Sequence, residues 1–185
     1  GGGEADRADA GRARPAPRPR SGDREEPPLR VLIVNSVALN AGDAAILMGE
    51  IAALRDAFGG DVQIDVADQM PETARRLYPD VSFHEGLHSR HSSRRRWQKV
   101  ALAQSIRWRR TRLAVRLLGR VPSLGRLMFS APQREHLARI ARSDVVVATG
   151  GTYFVEHYNF SGKADELLAA QALGKPAWLF TQSMG

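Results

Sequence analysis

VLIVNSVALNAGDAAIL, residues 31–47, joins a continuous apolar run to a small polar turn that contains one glycine. Val31–Val34 consists of Leu and β-branched residues, which is typical of a strand buried on both faces. Asn40–Asp43 interrupts the run, and Asp43 is a suitable N-cap for a helix over Ala44–Phe58. The stretch therefore predicts the strand, turn and helix from which α/β proteins are built.

Two later stretches repeat this design. SDVVVATGGTYFVEH covers residues 143–157, and KPAWLFTQSMG covers residues 175–185. In parallel sheets such turns follow the carboxyl ends of strands, which is the edge where α/β proteins bind ligands. All three turns are therefore candidate ligand-binding segments.

Apolar segments alternate with helical patterns along the whole ordered part of the chain. The predicted strands are Val31–Val34, Val62–Val66, Val81–His84, Asp144–Ala148 and Ala177–Thr181. This alternation predicts an α/β fold with a doubly wound, mostly parallel, Rossmann-like sheet of about five strands and right-handed crossovers.

The composition divides the 185 residues into three regions. Residues 1–28 are rich in Gly, Ala, Arg and Pro without apolar periodicity, so we predict that they are disordered. Residues 29–185 form one predicted Rossmann-like domain, incomplete at its C-terminus, with a basic helical insert over residues 86–130. The chain has no cysteine, which excludes disulfides and thiolate zinc sites, and no apolar run is long enough to span a bilayer.

The first turn offers Asn40, Gly42 and Asp43 to a ligand. Backbone N–H groups at a helix start favour an anion, and a glycine allows close approach. The Asp43 carboxylate would repel phosphate, so it is a candidate for binding a sugar hydroxyl or accepting its proton. A plain cap with a turn glycine explains the same residues, and the turn matches neither a dinucleotide nor a P-loop fingerprint.

The other two turns carry further candidates. Gly150, Gly151 and Thr152 expose backbone donors, and Glu156 with His157 can serve as acid and base. The side chains of Gln182 and Ser183 can grip a polar ligand. A tight turn and a linker to a following helix are the alternatives for these two segments.

Taken together, the three motifs resemble the polysaccharide pyruvyl transferase family over about residues 30–185, apart from the basic segment. N-x-G-D-A-A-I-L begins at Asn40, D-V-V-V-A-T-G-G-T begins at Asp144, and F-T-Q-S-M-G begins at Phe180. Met184 stands where the family usually has Ile. It is the ordered set at plausible spacing, more than any one motif, that carries the resemblance.

The resemblance implies a transferase that moves a pyruvyl group from phosphoenolpyruvate to a pair of sugar hydroxyls on a cell-surface polysaccharide or lipid-linked glycan. It implies a GT-B-like pair of Rossmann-like domains, with no metal and no cofactor beyond the donor substrate. By position, Asp43, Gly150, Gly151 and Glu156 would face the cleft, with Asp43 as a hydroxyl-binding residue or base. The Arg and His residues for the donor would lie in a second domain.

Because the chain has about half the length that the resemblance implies, we expect it to be inactive alone, with a missing C-terminal domain or partner chain. Two alternatives stay open. One is the acceptor domain of a GT-B glycosyltransferase, and the other is a non-catalytic module that binds a glycan or a membrane.

The basic segment is a separate feature. Residues 86–134 contain no Asp or Glu and carry a charge of +13, against +7 for the whole chain. Within it, Arg94–Arg116 mixes Arg with Trp and Leu, a pattern that favours peripheral contact with an anionic membrane. Nucleic acid is a weaker alternative, and a basic insert that packs on the domain is another. The expected location is cytoplasmic, at the inner face of the membrane.

Overall fold

The computed structural model of the protein describes residues 27–59, 61–88, 97–154, 161–180 and 182–184. The strands are β1 (Arg30–Ser36), β2 (Gln63–Asp68), β3 (Ser82–Glu85), β4 (Val145–Ala148), β5 (Gly151–Phe154), β6 (Ala177–Leu179) and β7 (Gln182–Met184). The helices are α1 (Ala41–Phe58), α2 (Pro71–Leu77), α3 (Trp97–Leu118), α4 (Pro122–Leu127), α5 (Ala131–Arg142) and α6 (Ser161–Ala172).

Five strands form a parallel sheet in the order β3-β2-β1-β4-β6. The predicted α/β fold with a five-stranded parallel sheet is confirmed. The strand order reverses direction between β1 and β4, whose ladder ends where Val34 pairs with Ala148. In open α/β sheets this switch point is where a crevice opens at the carboxyl edge. The GT-B-like second domain stays a prediction.

Helices cover both faces of the sheet because the strands are apolar on both sides. Val31 and Ile33 pack with Leu47 and Ile51 of α1 on one face. The opposite face carries Leu32 and Val34, which pack with buried residues of α3, α5 and α6. This alternation along one strand explains why the first strand reads as a continuous apolar run.

The start of α1 differs from the prediction. The helix begins at Ala41, and its N-cap is Asn40, whose side-chain oxygen accepts a hydrogen bond from the Gly42 backbone N–H at 3.3 Å. Asp43, which was predicted as the cap, lies in the first turn, and its carboxylate accepts a 2.9 Å hydrogen bond from the Asn40 side chain. Asn and Asp are equally good caps, so the sequence alone favoured the wrong one of the two.

The second and third turns differ as well. Gly151–Phe154 and Gln182–Met184, which were predicted as turns, are strands that pair with each other in a separate parallel sheet. The predicted fifth strand over Ala177–Thr181 is shorter and ends at Leu179. Each short strand starts three positions after the end of a main-sheet strand, so the small sheet lies beyond the carboxyl edge of the main one.

The basic segment takes part in the fold. Helix α3 sends Ala114, Val115 and Leu118 into the core, and α4 packs against α3 through Gly125. A Cβ on Gly125 would lie 2.6 Å from the backbone N of Leu118, so only glycine fits this helix contact. Within the described residues, no helix combines the length and the apolar character needed to cross a bilayer.

Candidate functional site

A cleft of about 260 Å³ opens at the carboxyl edge of the sheet. Its floor is formed by the ends of β1 and β2 and by Gly86, which directly follows β3. Trp108 of α3 and the first turn of α6, with Gly162 and Lys163, form its walls. The cleft therefore lies where the topology of the sheet predicts a ligand site.

The end of β1 adopts a special conformation in this cleft. Asn35 has φ 68°, a left-handed conformation that Asn tolerates better than most residues. Its side-chain amide donates a 3.2 Å hydrogen bond to the backbone carbonyl of Lys163. The strand end is thereby fastened to the start of α6, which fixes the position of Lys163.

Asp68 stabilises the part of the cleft floor at the ends of β1 and β2. Its carboxylate accepts hydrogen bonds from the backbone N–H groups of Ala38 at 2.8 Å and Met70 at 2.7 Å, and the residue is buried. These bonds tie the turn after β1 to the end of β2. Asp68 therefore stabilises the geometry of the cleft, since its carboxylate serves the backbone.

Trp108 is held against the cleft by His88. The two rings lie 5.3 Å apart, and Nε2 of His88 is 3.0 Å from a carboxylate oxygen of Asp165. Arg112 approaches the other oxygen of Asp165 at 3.6 Å. Nδ1 of His88 is buried, so neither ring nitrogen is presented to a ligand. His88 is thus a positioning residue for the tryptophan.

Glu166 is buried beneath the cleft, and both of its carboxylate oxygens have hydrogen-bond partners. One carboxylate oxygen lies 2.6 Å from Nε2 of His136, and the other accepts a 2.8 Å hydrogen bond from the backbone N–H of Leu87. Burial raises the pKa of Glu166, but the charge and hydrogen bond of His136 and the Leu87 N–H outweigh it and leave the pKa below its usual value. The carboxylate therefore stays ionised and anchors the segment after β3.

Lys163 lines the cleft, and the pKa of its amine is lowered. Its side chain is partly buried, and burial lowers the pKa of its ammonium group to about 8 because the charged form is poorly solvated. The negative charge of Asp43 acts in the opposite direction and raises this pKa. An amine with a pKa near neutrality can accept a proton under physiological conditions.

The predicted residues of the first turn, Asn40, Gly42 and Asp43, do not line this cleft. Asp43 acts on it only through its charge, which raises the pKa of Lys163. Asn40 and Asp43 also serve the helix start, which is the plain capping role. Gly42 has no positive φ, and a Cβ there would meet only the Asn40 side-chain oxygen at 3.9 Å. The fold itself therefore does not require glycine at this position.

The other predicted residues lie at the same edge. Gly150 is buried directly after β4, and Gly151 pairs with Gln182 across the small sheet. The backbones of Thr152 and Ser183 lie in these same two strands. The second and third segments are thus brought together by the small sheet, which the sequence did not predict. Glu156 and His157 lie outside the described residues, and so their predicted acid and base roles stay predictions.

Glu50 is a buried carboxyl beneath the second turn. It is fully buried on α1, and among the described residues neither of its oxygens has a partner of standard hydrogen-bond geometry. Burial raises the pKa of Glu50 to about 7, and weaker contacts with the Thr149 side chain and the Gly150 backbone oppose this only in part. Folding therefore favours the protonated form of this group.

This burial predicts a pH-dependent stability. Because the folded pKa of Glu50 lies above the unfolded value, its contribution is fully present below pH 4.5 and is lost as the pH rises through about 7. We expect the free energy of unfolding of Glu50→Gln, measured in urea, to exceed that of the wild type by about 3 kcal/mol near pH 8. Near pH 4 the two proteins should differ little. The exposed Glu72→Gln is the control and should leave the profile unchanged. If the free energy of unfolding changed with pH equally in the wild type and in Glu50→Gln, the prediction would be contradicted.

Sequence reasoning missed the residues that build the cleft. Lys163, Trp108 and His88 come from three distant segments, and only the topology brings them together. The basic segment was noted for its charge, yet its Trp108 lines the site. One signal was present: Lys163 follows the Gly150–Gly151 turn and begins a run without Gly or Pro that ends at Gly174, a pattern that favours a helix. Among the described residues, no cluster of His, Asp and Glu is arranged to hold a metal ion.

Comparison with known proteins gives one match. The model of a protein family described as polysaccharide pyruvyl transferase matches residues 40–185 of this chain. No curated protein and no solved structure matches it significantly. The matched range begins at the N-cap of α1 and includes every segment that forms the cleft except the end of β1.

Proposed function

The chain belongs to the polysaccharide pyruvyl transferase family, and from this membership we propose that it takes part in transferring a pyruvyl group from phosphoenolpyruvate to two hydroxyls of a glycan. In this proposal the cleft at the carboxyl edge binds the acceptor sugar. The indole of Trp108 provides a flat apolar surface for the C–H face of a sugar ring, and polar groups around it orient the hydroxyls.

The chemistry defines what the cleft must supply. An acid protonates the methylene carbon of phosphoenolpyruvate, and a sugar hydroxyl attacks the resulting cation and loses its proton. Phosphate then leaves, and the second hydroxyl closes the ketal with loss of its own proton. A base beside the attacking hydroxyl and cations that hold the donor's phosphate and carboxylate are therefore needed. We assign the base to this domain and the donor's cations to the second, GT-B-like domain.

The observation that carries this proposal is Lys163. It lines the cleft, is fastened through its backbone to Asn35, and has a pKa of about 8 as a result of burial. At neutral pH a fraction of the amine is uncharged and able to take the hydroxyl proton. Asp43, the base predicted from the sequence, is the alternative, and Glu156 and His157 stay candidates for the acid.

The experiment is to incubate this chain, alone and together with the second domain or partner chain that we expect it to need, with phosphoenolpyruvate and glycans extracted from a cell envelope; turnover is expected only with both parts present. We expect inorganic phosphate to be released only when acceptor is present, and mass spectrometry to detect a pyruvate ketal on the sugar. Consumption of a nucleotide sugar in place of phosphoenolpyruvate would favour the glycosyltransferase alternative. Glycan binding that quenches Trp108 fluorescence without any turnover would favour the non-catalytic module.

A glycine pair tests whether the ligand approaches the start of α1. Gly42→Ala and Gly49→Ala both add a methyl group to the same helix without a steric clash, so each should raise the free energy of unfolding by up to about 1 kcal/mol. We expect only Gly42→Ala to raise KM for the acceptor, by roughly tenfold, because its methyl group would occupy space needed by the sugar. Equal KM values for both variants would place the ligand elsewhere.

A further inference from the structure

The outer surface of α3 and α4 is both basic and apolar. On α3, Ile106, Arg109, Leu113 and Arg116 recur at intervals of three or four residues, and Arg120 follows in the turn after the helix; all five are exposed. This spacing places them on one side of the helix, away from the buried Ala114, Val115 and Leu118. We name these residues, together with those of α4 described next, the outer basic surface.

Helix α4 extends this surface. Arg110 donates hydrogen bonds of 2.9 and 2.6 Å to the backbone carbonyl of Met128, which fastens the end of α4 beside α3. Leu127, the residue before Met128, is 77% exposed, and Leu124 and Arg126 are exposed as well. Because Gly125 packs directly on α3, the two helices form one rigid platform.

The chain segment that forms this platform has no acidic residue to neutralise its positive charge. Residues 86–134 contain no acidic residue, and the acid that α3 meets elsewhere, Asp165, is engaged by Arg112 and His88 on the inner side. A cluster of exposed leucines among four arginines is costly in water unless a partner covers it. The platform is therefore complementary to a surface that is negatively charged and has an apolar layer just below.

We propose that the outer basic surface docks the protein on an anionic lipid bilayer. Exposed leucine and isoleucine side chains enter the interface between headgroups and acyl chains, and the arginines contact the lipid phosphates. A nucleic acid offers the phosphates but no apolar layer for Leu113 and Leu127, so it uses only half of this surface. Of the range Arg94–Arg116 predicted from the sequence, the side chains of residues 106 and 108–116 are described, and the outer basic surface extends beyond this range through Arg120 and α4.

Vesicle sedimentation tests the proposal. The full chain is mixed with vesicles of phosphatidylcholine alone or with phosphatidylglycerol added. We expect binding only to the anionic vesicles, and weaker binding as the salt concentration rises. The double variant Arg116→Gln, Arg120→Gln should bind at least about twentyfold more weakly, since each cation near the surface contributes roughly fivefold.

The apolar half of the surface has its own variant. Leu113→Ser with Leu127→Ser removes two exposed side chains and should weaken binding by roughly tenfold without changing the net charge. Leu77→Ser on α2 and the pair Arg55→Gln, Arg76→Gln are matched controls, because these residues are exposed on the opposite side of the sheet. The controls should bind like the wild type.

Three results would overturn the proposal. The first is equal binding to neutral and anionic vesicles, and the second is a loss of binding in the controls as large as in the variants. The third is binding to double-stranded DNA, but not to vesicles, that depends on the same arginines. Thermal melting of every variant checks the fold independently, and no outcome requires transferase activity, so the docking is tested apart from the proposed function.

Discussion

Lys163→Met should lower the turnover of the pyruvyl transfer by about a hundredfold or more, the range that a positioned general base contributes. Methionine keeps the apolar stem of the side chain and removes only the amine. Because burial disfavours the ammonium below a pH of about 8, the variant should be at least as stable as the wild type at neutral pH. A large loss of kcat with no loss of stability separates a chemical role from a structural one.

The pH profile decides between Lys163 and Asp43. If Lys163 is the base, wild-type kcat/KM rises with pH through a value near 8. Asp43→Asn removes the charge that raises the pKa of Lys163, so the midpoint of the profile should move to lower pH while most activity remains. Complete inactivity of Asp43→Asn together with an active Lys163→Met would assign the base to Asp43. Lys175→Met, on the opposite edge of the sheet, should leave both quantities unchanged.

Glu166→Ala should lower the free energy of unfolding by about 3 to 5 kcal/mol, the cost of breaking a buried pair by removing one partner. The change leaves the buried His136 side chain without its carboxylate and the Leu87 N–H without an acceptor. Urea unfolding near neutral pH measures the loss. The exposed Glu135→Ala, which removes only a surface pair with Arg139, should change it by about 0.5 kcal/mol at most.

At acidic pH the loss of stability caused by replacing Glu166 should become smaller. Because the folded pKa of Glu166 lies below its unfolded value, its charged form stabilises the protein above pH 4.5, and that contribution is lost as the pH falls through the folded value. Glu166→Gln keeps an oxygen for the Leu87 N–H and loses only the charge. We expect wild type and Glu166→Gln to converge in acid. A constant difference at every pH would mean that packing, rather than charge, explains the effect of the residue.

The sheet could be predicted from the sequence because its strands are short, largely β-branched apolar runs that alternate with helical patterns. Val31–Val34 is buried residue by residue, as its composition indicates. The pairing of Gly151 with Gln182 could not be predicted, because polar residues next to glycines fit a turn as well as a strand. Short strands of this kind form only when the tertiary structure supplies a partner.

The sequence indicated an edge of the sheet but not the residues of the cleft. The polar turns follow parallel strands, whose carboxyl ends share the edge where the cleft opens, but the described residues that were predicted on these turns do not line it. Lys163 could not be identified, since its low pKa depends on burial and its position depends on Asn35, 128 residues earlier in the chain. Long-range packing of this kind leaves no local pattern to read.

The central strand pair also has a consequence for biosynthesis. During synthesis, one edge of β1 stays unpaired until β4 has been made, since the two strands pair along their length. The backbone N–H of Arg30 in β1 also bonds to the side chain of Asp144, which lies 114 residues later and just before β4. At 5 to 20 residues per second, translation exposes one edge of β1 for roughly 6 to 23 seconds. A nascent chain with an unpaired apolar edge is an aggregation hazard, so ribosome-bound chaperones should protect this protein while it is made.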